Sequence, residues 1–279
     1  MQMNEHQENY EKYWSELGKK IEISDVSGPI KVGPPQLEEM SRVPPGQWPP
    51  AKEDLQKNLK KYVKLVRDMG AVEAKAIRSK AIPQDLRSFY IGCLIPNCRW
   101  LNTNANCPTV RMFPYEHMLE FVREYEYAIV YKVLSPSKDM VPDAGPINLD
   151  MYYTMGGGEA PDKGMLARNI TRLRILAEMS RRLHRAAYYD GYISAAPVSA
   201  GPCLISKCAD IRRCPAVEKG GFCRFEDVAP VGSGVAYIDY HTLGRGLRWG
   251  ELQVGGNCAF PEDVPNPDEY YNIGLILID

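Results

Sequence analysis

The run Tyr127-Ala128-Ile129-Val130-Tyr131-Lys132-Val133, set directly after the helix-forming stretch Tyr115 to Glu124, decides the fold class of this 279-residue chain. β-Branched and aromatic side chains suit the pleated surface of a sheet, so the order is helix, then strand. The same order occurs upstream. Leu55, Leu59, Val63, Leu65 and Val66 recur near helical spacing up to Met69, Gly70 stands where helices commonly end, and Ala71 to Ile77 reads as a strand. Downstream, Met165 to Tyr188 forms the longest predicted helix, with Ile170, Leu173, Leu176, Met179 and Leu183 on one stripe and Gly191 past its end. Strand-like runs follow at Tyr192 to Ala195, Val235 to Tyr240 and Ile273 to Ile278. Strands and helices that alternate this irregularly predict an α+β fold rather than regular βαβ winding: a mixed β-sheet covered by helices, with cysteine-rich metal-binding loops between the elements.

A net charge of −1 and a hydrophobic content of 44% describe a chain able to bury a sizeable core. Near-neutral charge gives no reason to expect a nucleic-acid partner, because phosphate-binding proteins usually carry a basic excess. No apolar stretch approaches the ~18 residues of a membrane span, and Met1 to Lys20 lacks the apolar region of a signal peptide, so a cytoplasmic protein without membrane insertion is expected. Residues 1–54 read as a proline-rich N-terminal arm, marked by Gly33-Pro34-Pro35, Pro44-Pro45-Gly46 and Pro49-Pro50, whose Trp14 and Trp48 suit wrapping over the domain or over a partner subunit. Residues 55–279 read as one cysteine-rich domain.

The chain's eight cysteines fall into two tight groups, Cys93, Cys98 and Cys107 in one and Cys203, Cys208, Cys214 and Cys223 in the other, with Cys258 alone. Thiolates so close in sequence converge on a small inorganic centre without long loop closure, and a reducing cytoplasm argues against disulfides. The second group, C-x4-C-x5-C-x8-C, places four soft ligands within 21 residues, enough for a cubane or a tetrahedral zinc ion. Zinc sites favour C-x2-C knuckles, and this chain has none, which favours iron–sulfur over zinc and over unligated structural cysteines. Proline follows Cys107 and Cys214, as in the Cys-Pro step of ferredoxins. The first group, C-x4-C-x8-C, offers three thiolates; Cys258 either completes it as a remote fourth ligand or leaves an iron with an open position.

Other features point less far. Arg168, Arg172, Arg174, Arg181, Arg182 and Arg185 on the long helix suit an anionic cluster, substrate or partner, but a solvated helix face explains them equally simply. Gly156-Gly157-Gly158 lacks the context of a P-loop, and Tyr188, Tyr189, Tyr192, Tyr237 and Tyr240 read as core and sheet residues. The histidines His6, His117, His184 and His241 form no Ser-His-Asp pattern, and no dinucleotide fingerprint is present.

Several separated stretches resemble an uncharacterised family of predicted metal-binding, iron–sulfur proteins of archaea and anaerobic bacteria, described only as a domain of unknown function. The resemblance lies in Lys64-Leu65-Val66 to Lys75, in Cys93-Leu94-Ile95-Pro96-Asn97-Cys98 with Asn106-Cys107-Pro108, and in Tyr125 to Tyr131. It continues in Gly201-Pro202-Cys203, in Cys223-Arg224-Phe225 and in Gly274-Leu275-Ile276-Leu277-Ile278-Asp279. Ser206 stands near a position that the family often fills with cysteine, and Glu226-Asp227-Val228-Ala229-Pro230 replaces its basic, proline-rich continuation.

The resemblance implies iron–sulfur binding but no particular reaction. With the cysteine spacing, it leads to the expectation of one or two [4Fe–4S] clusters that pass electrons to a redox partner protein, or within a larger enzyme complex of anaerobic metabolism. Two other readings stay open. One is an iron–sulfur enzyme with an open iron at the Cys93/Cys98/Cys107 centre; the other is a structural zinc or interaction module.

Overall fold

The computed structural model describes residues 52–94, 101–107, 114–134, 163–199, 203, 214–218, 223, 231–232, 236–250 and 271–279. The arm as far as residue 51, Gly156-Gly157-Gly158, and the cysteines Cys98, Cys208 and Cys258 lie outside the described residues.

The first helix, α1 (Lys52–Asp68), begins inside the segment read as arm. It buries Leu55, Leu59, Tyr62 and Val66, one apolar position per turn, and points its lysines outward. It ends where Gly70 takes φ +100° and Ala71 N–H reaches back to Val66 O at 3.0 Å, the six-to-one bond of a Schellman motif. The chain then enters β1 (Glu73–Arg78), α2 (Leu86–Cys93), α3 (Tyr115–Glu124) and β2 (Tyr127–Leu134). The long helix α4 (Lys163–Tyr189) closes at Gly191 (φ +104°), with Tyr192 N–H on Ala187 O at 2.9 Å. Next come β3 (Ala196–Ser199), the short helix α5 (Pro215–Glu218), β4 (Val231–Gly232), α6 (Tyr240–Gly246) and β5 (Tyr271–Ile278).

The strands form one five-stranded sheet in the order β1-β2-β5-β3-β4, antiparallel except for the parallel pair β3–β4. The fold is therefore α+β with a mixed sheet, as the sequence pattern predicts. β5, in the middle, is buried along its whole length, so its sequence is a continuous apolar run rather than an alternation.

The two faces of the sheet carry separate cores, sorted by the two-residue period of the strands. Ile129, Tyr131, Val133, Ile276 and Ile278 pack under α1 and α4. Ala128, Val130, Ile273, Leu275 and Leu277 pack against α2, α3 and the 236–249 segment that contains α6. Helices therefore cover both sides of the sheet. Gly274 stands opposite Tyr131 in the register, and a Cβ there would lie 2.2 Å from the Tyr131 ring. The ring lies across the glycine, and its hydroxyl bonds Ser180 Oγ on α4 at 2.8 Å.

Two strand expectations fail. Tyr192 to Ala195 is the turn that follows the Gly191 helix end, and β3 begins only at Ala196. Within the run from Val235 to Tyr240, Val235 lies outside the described residues, and Ala236–Asp239 is a turn, with Tyr237 at φ +52°, leading into α6. A single bridge, Gln84 to Ile238, is all the pairing found there. The turn is held instead by Gln84 Nε2 on Ala236 O (2.8 Å) and by Asp85 N–H on Tyr237 O (2.9 Å). Among the described residues no helix is long and apolar enough to cross a membrane.

Candidate metal centre

The register brings several chain ends to one end of the sheet. Leu134, the last residue of β2, pairs with Tyr271, the first of β5, and β3 runs antiparallel to β5 toward that same end. Cys203 follows the end of β3 at Ser199 by four residues, so the second cysteine group begins there.

The first group reaches the same place through the loop 101–107. Asn102 takes φ +62°, a left-handed conformation that asparagine tolerates better than most residues, and its N–H donates to Cys107 Sγ at 3.2 Å. Cys107 N–H in turn donates to Asn104 O at 2.9 Å. The Asn104 side chain ties the loop together, since its Oδ1 accepts from Asn106 N–H at 3.1 Å. The same oxygen accepts from Cys203 Sγ at 3.4 Å, across a sequence separation of 99 residues. Asn104 and Asn106 are buried, as is Cys107, while Cys203 is half-buried. Two thiols from the two sequence groups therefore meet on one short loop, partly withdrawn from water, one with an amide donor on its sulfur and the other on a carboxamide.

The other cysteines are placed as follows. Cys93 is the last residue of α2, half-buried against the α2–α3 side core. Cys214 is buried and directly precedes α5, which Pro215 starts; proline at a first helical position needs no metal to explain it. Cys223 is half-buried. Among the described residues, no three His, Cys, Asp or Glu side chains group as a metal site, so the complete ligand sets expected around Cys93/Cys107 and around Cys203/Cys214/Cys223 are not seen there. The loop 101–107 holds one sulfur, Cys107, with a backbone N–H on it and touches a second, Cys203. That chemistry fits a thiolate-bound centre better than an oxygen-loving ion.

The arginines of α4 divide. Arg181 and Arg182 both hydrogen-bond Glu178 (2.6 and 2.7 Å), and Arg185 stands over the Tyr189 ring at 5.8 Å, consistent with an outward face. Arg172, by contrast, is wholly buried on the same stripe as Leu176, and burial holds the Arg174 guanidinium below its usual pKa. Three of the tyrosines serve as core: Tyr192 takes a hydrogen bond from Asn58 Nδ2 (3.2 Å), Tyr237 packs edge-on against Phe89 and Tyr115, and Tyr240 is buried, whereas Tyr188 is exposed and Tyr189 half-buried, against the expectation for them. His117 and His241 are exposed.

The residues that sequence reasoning missed are Asn102 and Asn104. Their signal lies in Asn102-Thr103-Asn104-Ala105-Asn106-Cys107, where asparagine, a residue that bonds its own turn backbone, stands at every second position before a cysteine. No family model matches the chain, and no curated protein or solved structure matches it either.

Proposed function

We propose that the chain is an iron–sulfur protein of the cytoplasm, carrying one or two [4Fe–4S] clusters and passing electrons to a redox partner protein or within a larger enzyme complex. The observation that carries this reading is the contact of Cys203 with the Cys107 loop, since it brings one cysteine of each sequence group to the same loop. Two properties of the site suit such a centre: partial withdrawal from water and an N–H donor on a ligand sulfur, both of which tune a cluster's potential. When bound, a cluster of this kind takes up and gives back single electrons. The chain's own residues hold the sulfurs in place. Asn102 N–H donates to Cys107 Sγ, and Asn104 ties the loop to Cys203. The resemblance in the cysteine motifs supports the same reading.

The test is iron, zinc and acid-labile sulfide content on protein purified without oxygen, with visible spectra before and after dithionite. Iron and sulfide in equal amounts, about four or eight of each per chain, with absorption that bleaches on reduction, is the expected result. Zinc without sulfide would overturn the proposal in favour of a structural module.

A further inference from the structure

We infer that Cys107 and Cys203 ligate one and the same metal centre, so the cysteine groups at residues 93–107 and 203–223 contribute to a shared site instead of each holding its own. This rests on the metal-binding reading above and deepens it by assigning ligands.

The sequence groups predict two local ligand sets, because neighbouring thiolates close short loops cheaply. The structure places the groups differently. Cys203 Sγ lies 3.4 Å from Asn104 Oδ1, and Asn104 is inside the loop that shapes Cys107. Three bonds, Asn102 N–H to Cys107 Sγ, Cys107 N–H to Asn104 O and Asn106 N–H to Asn104 Oδ1, fix the loop around Cys107, and Cys203 is tied to that loop through Asn104 Oδ1.

Asn104 then acts as a positioning residue. Its Oδ1 suits the protonated thiol of Cys203 as an acceptor; once that sulfur is a ligand it has no proton, and the favourable partner becomes the Nδ2 donor, which now bonds Thr103 Oγ1 at 3.3 Å. Asn104→Asp keeps the acceptor for Asn106 N–H and sets a negative charge beside the Cys203 sulfur. It should therefore fold while holding the centre less well.

The experiment measures metal and sulfide per chain, with electron paramagnetic resonance after reduction, on full-length wild type, Cys107→Ser, Cys203→Ser and Asn104→Asp, all prepared without oxygen. A shared centre predicts that each Cys→Ser change removes the same resonance and that Asn104→Asp weakens that resonance alone. Where the wild type holds a single cluster of about four irons, each Cys→Ser change should lower iron at least about fourfold. Loss of different resonances in Cys107→Ser and Cys203→Ser, or full metal retention in either, overturns the inference.

Failure of a variant to fold is bypassed in the wild type. Iron is removed slowly with chelator while iodoacetamide labels exposed thiols, and peptide maps follow Cys107 and Cys203. Labelling of both in step with bleaching supports the shared centre; labelling of one well before the other overturns it. One zinc per chain, lost in both Cys→Ser variants, would support sharing while overturning the iron–sulfur reading; a wild type without any metal overturns both.

Discussion

Tyr131 lies directly over Gly274 across the sheet, and the space between them sets a clear expectation. A Cβ at position 274 would meet two ring carbons and the hydroxyl oxygen of Tyr131 within 2.5 Å, and the side chain is wholly buried, so it has nowhere to swing. Gly274→Ala should therefore destabilise by about 1–3 kcal/mol through overpacking. Denaturant unfolding would check it, and an unchanged midpoint would show that the ring can move aside. Glu178 makes a second case. Burial pushes its carboxyl up, but the hydrogen bonds and charges of Arg181 and Arg182 outweigh that, and the net shift is downward. A carboxylate with a lowered folded-state pKa contributes stability that is fully present above its unfolded value, near ~4.3, and is lost as the pH falls through the folded value. Glu178→Gln should therefore lower the melting temperature at pH 7, and the gap to wild type should narrow as the pH falls below the unfolded value and through the folded one. A gap that stays constant would mean that the carboxylate's charge adds nothing.

Among the elements, α4 covers the α1 side of the sheet along Leu176, Met179, Leu183 and Ala187, all buried. Leu183→Ala removes a fully buried side chain from that seam and should cost about 2–5 kcal/mol, read from chemical or thermal unfolding. A cost below about 1 kcal/mol would mean that the helix collapses into the gap. The helices and strands legible in the sequence are those whose pattern outlasts one or two turns: α1 and α4 by their apolar stripe, α3 by its helix-forming residues, β2 and β5 by their β-branched runs. The sequence hides short elements and turns held by distant partners. Tyr192 lies in an apolar, aromatic stretch because it is buried beneath α1 beside Tyr62, at 6.1 Å between ring centroids, and not because it is strand. Tyr237 adopts φ +52° only because Gln84 and Asp85, far away in sequence, hold that turn. The two cysteine groups were legible from their spacing. The contact of Cys203 with the Cys107 loop was not, since it bridges 99 residues and its partner is an asparagine.

At the scale of the molecule, the two cores of the sheet are built, among the described residues, almost wholly from aliphatic and aromatic side chains. Both faces of β5 are filled by aliphatic and aromatic side chains from helices on either side, and Cys93 touches only the margin of one core. Small metallo-domains behave differently: with too little core to fold alone, they lose their structure together with the metal. Removing the proposed metal centre should therefore loosen the cysteine end and leave the sheet standing. Hydrogen exchange after chelation should show faster exchange at the amides of residues 101–107, Asn102 N–H foremost because its acceptor is Cys107 Sγ. β2 and β5, paired over eight residues, should keep their protection, because their amides open only with global unfolding. Loss of protection across β2 and β5 as well would mean that the metal holds the whole fold together. The chain would then be a structural metal module rather than an electron carrier set on an independently stable scaffold.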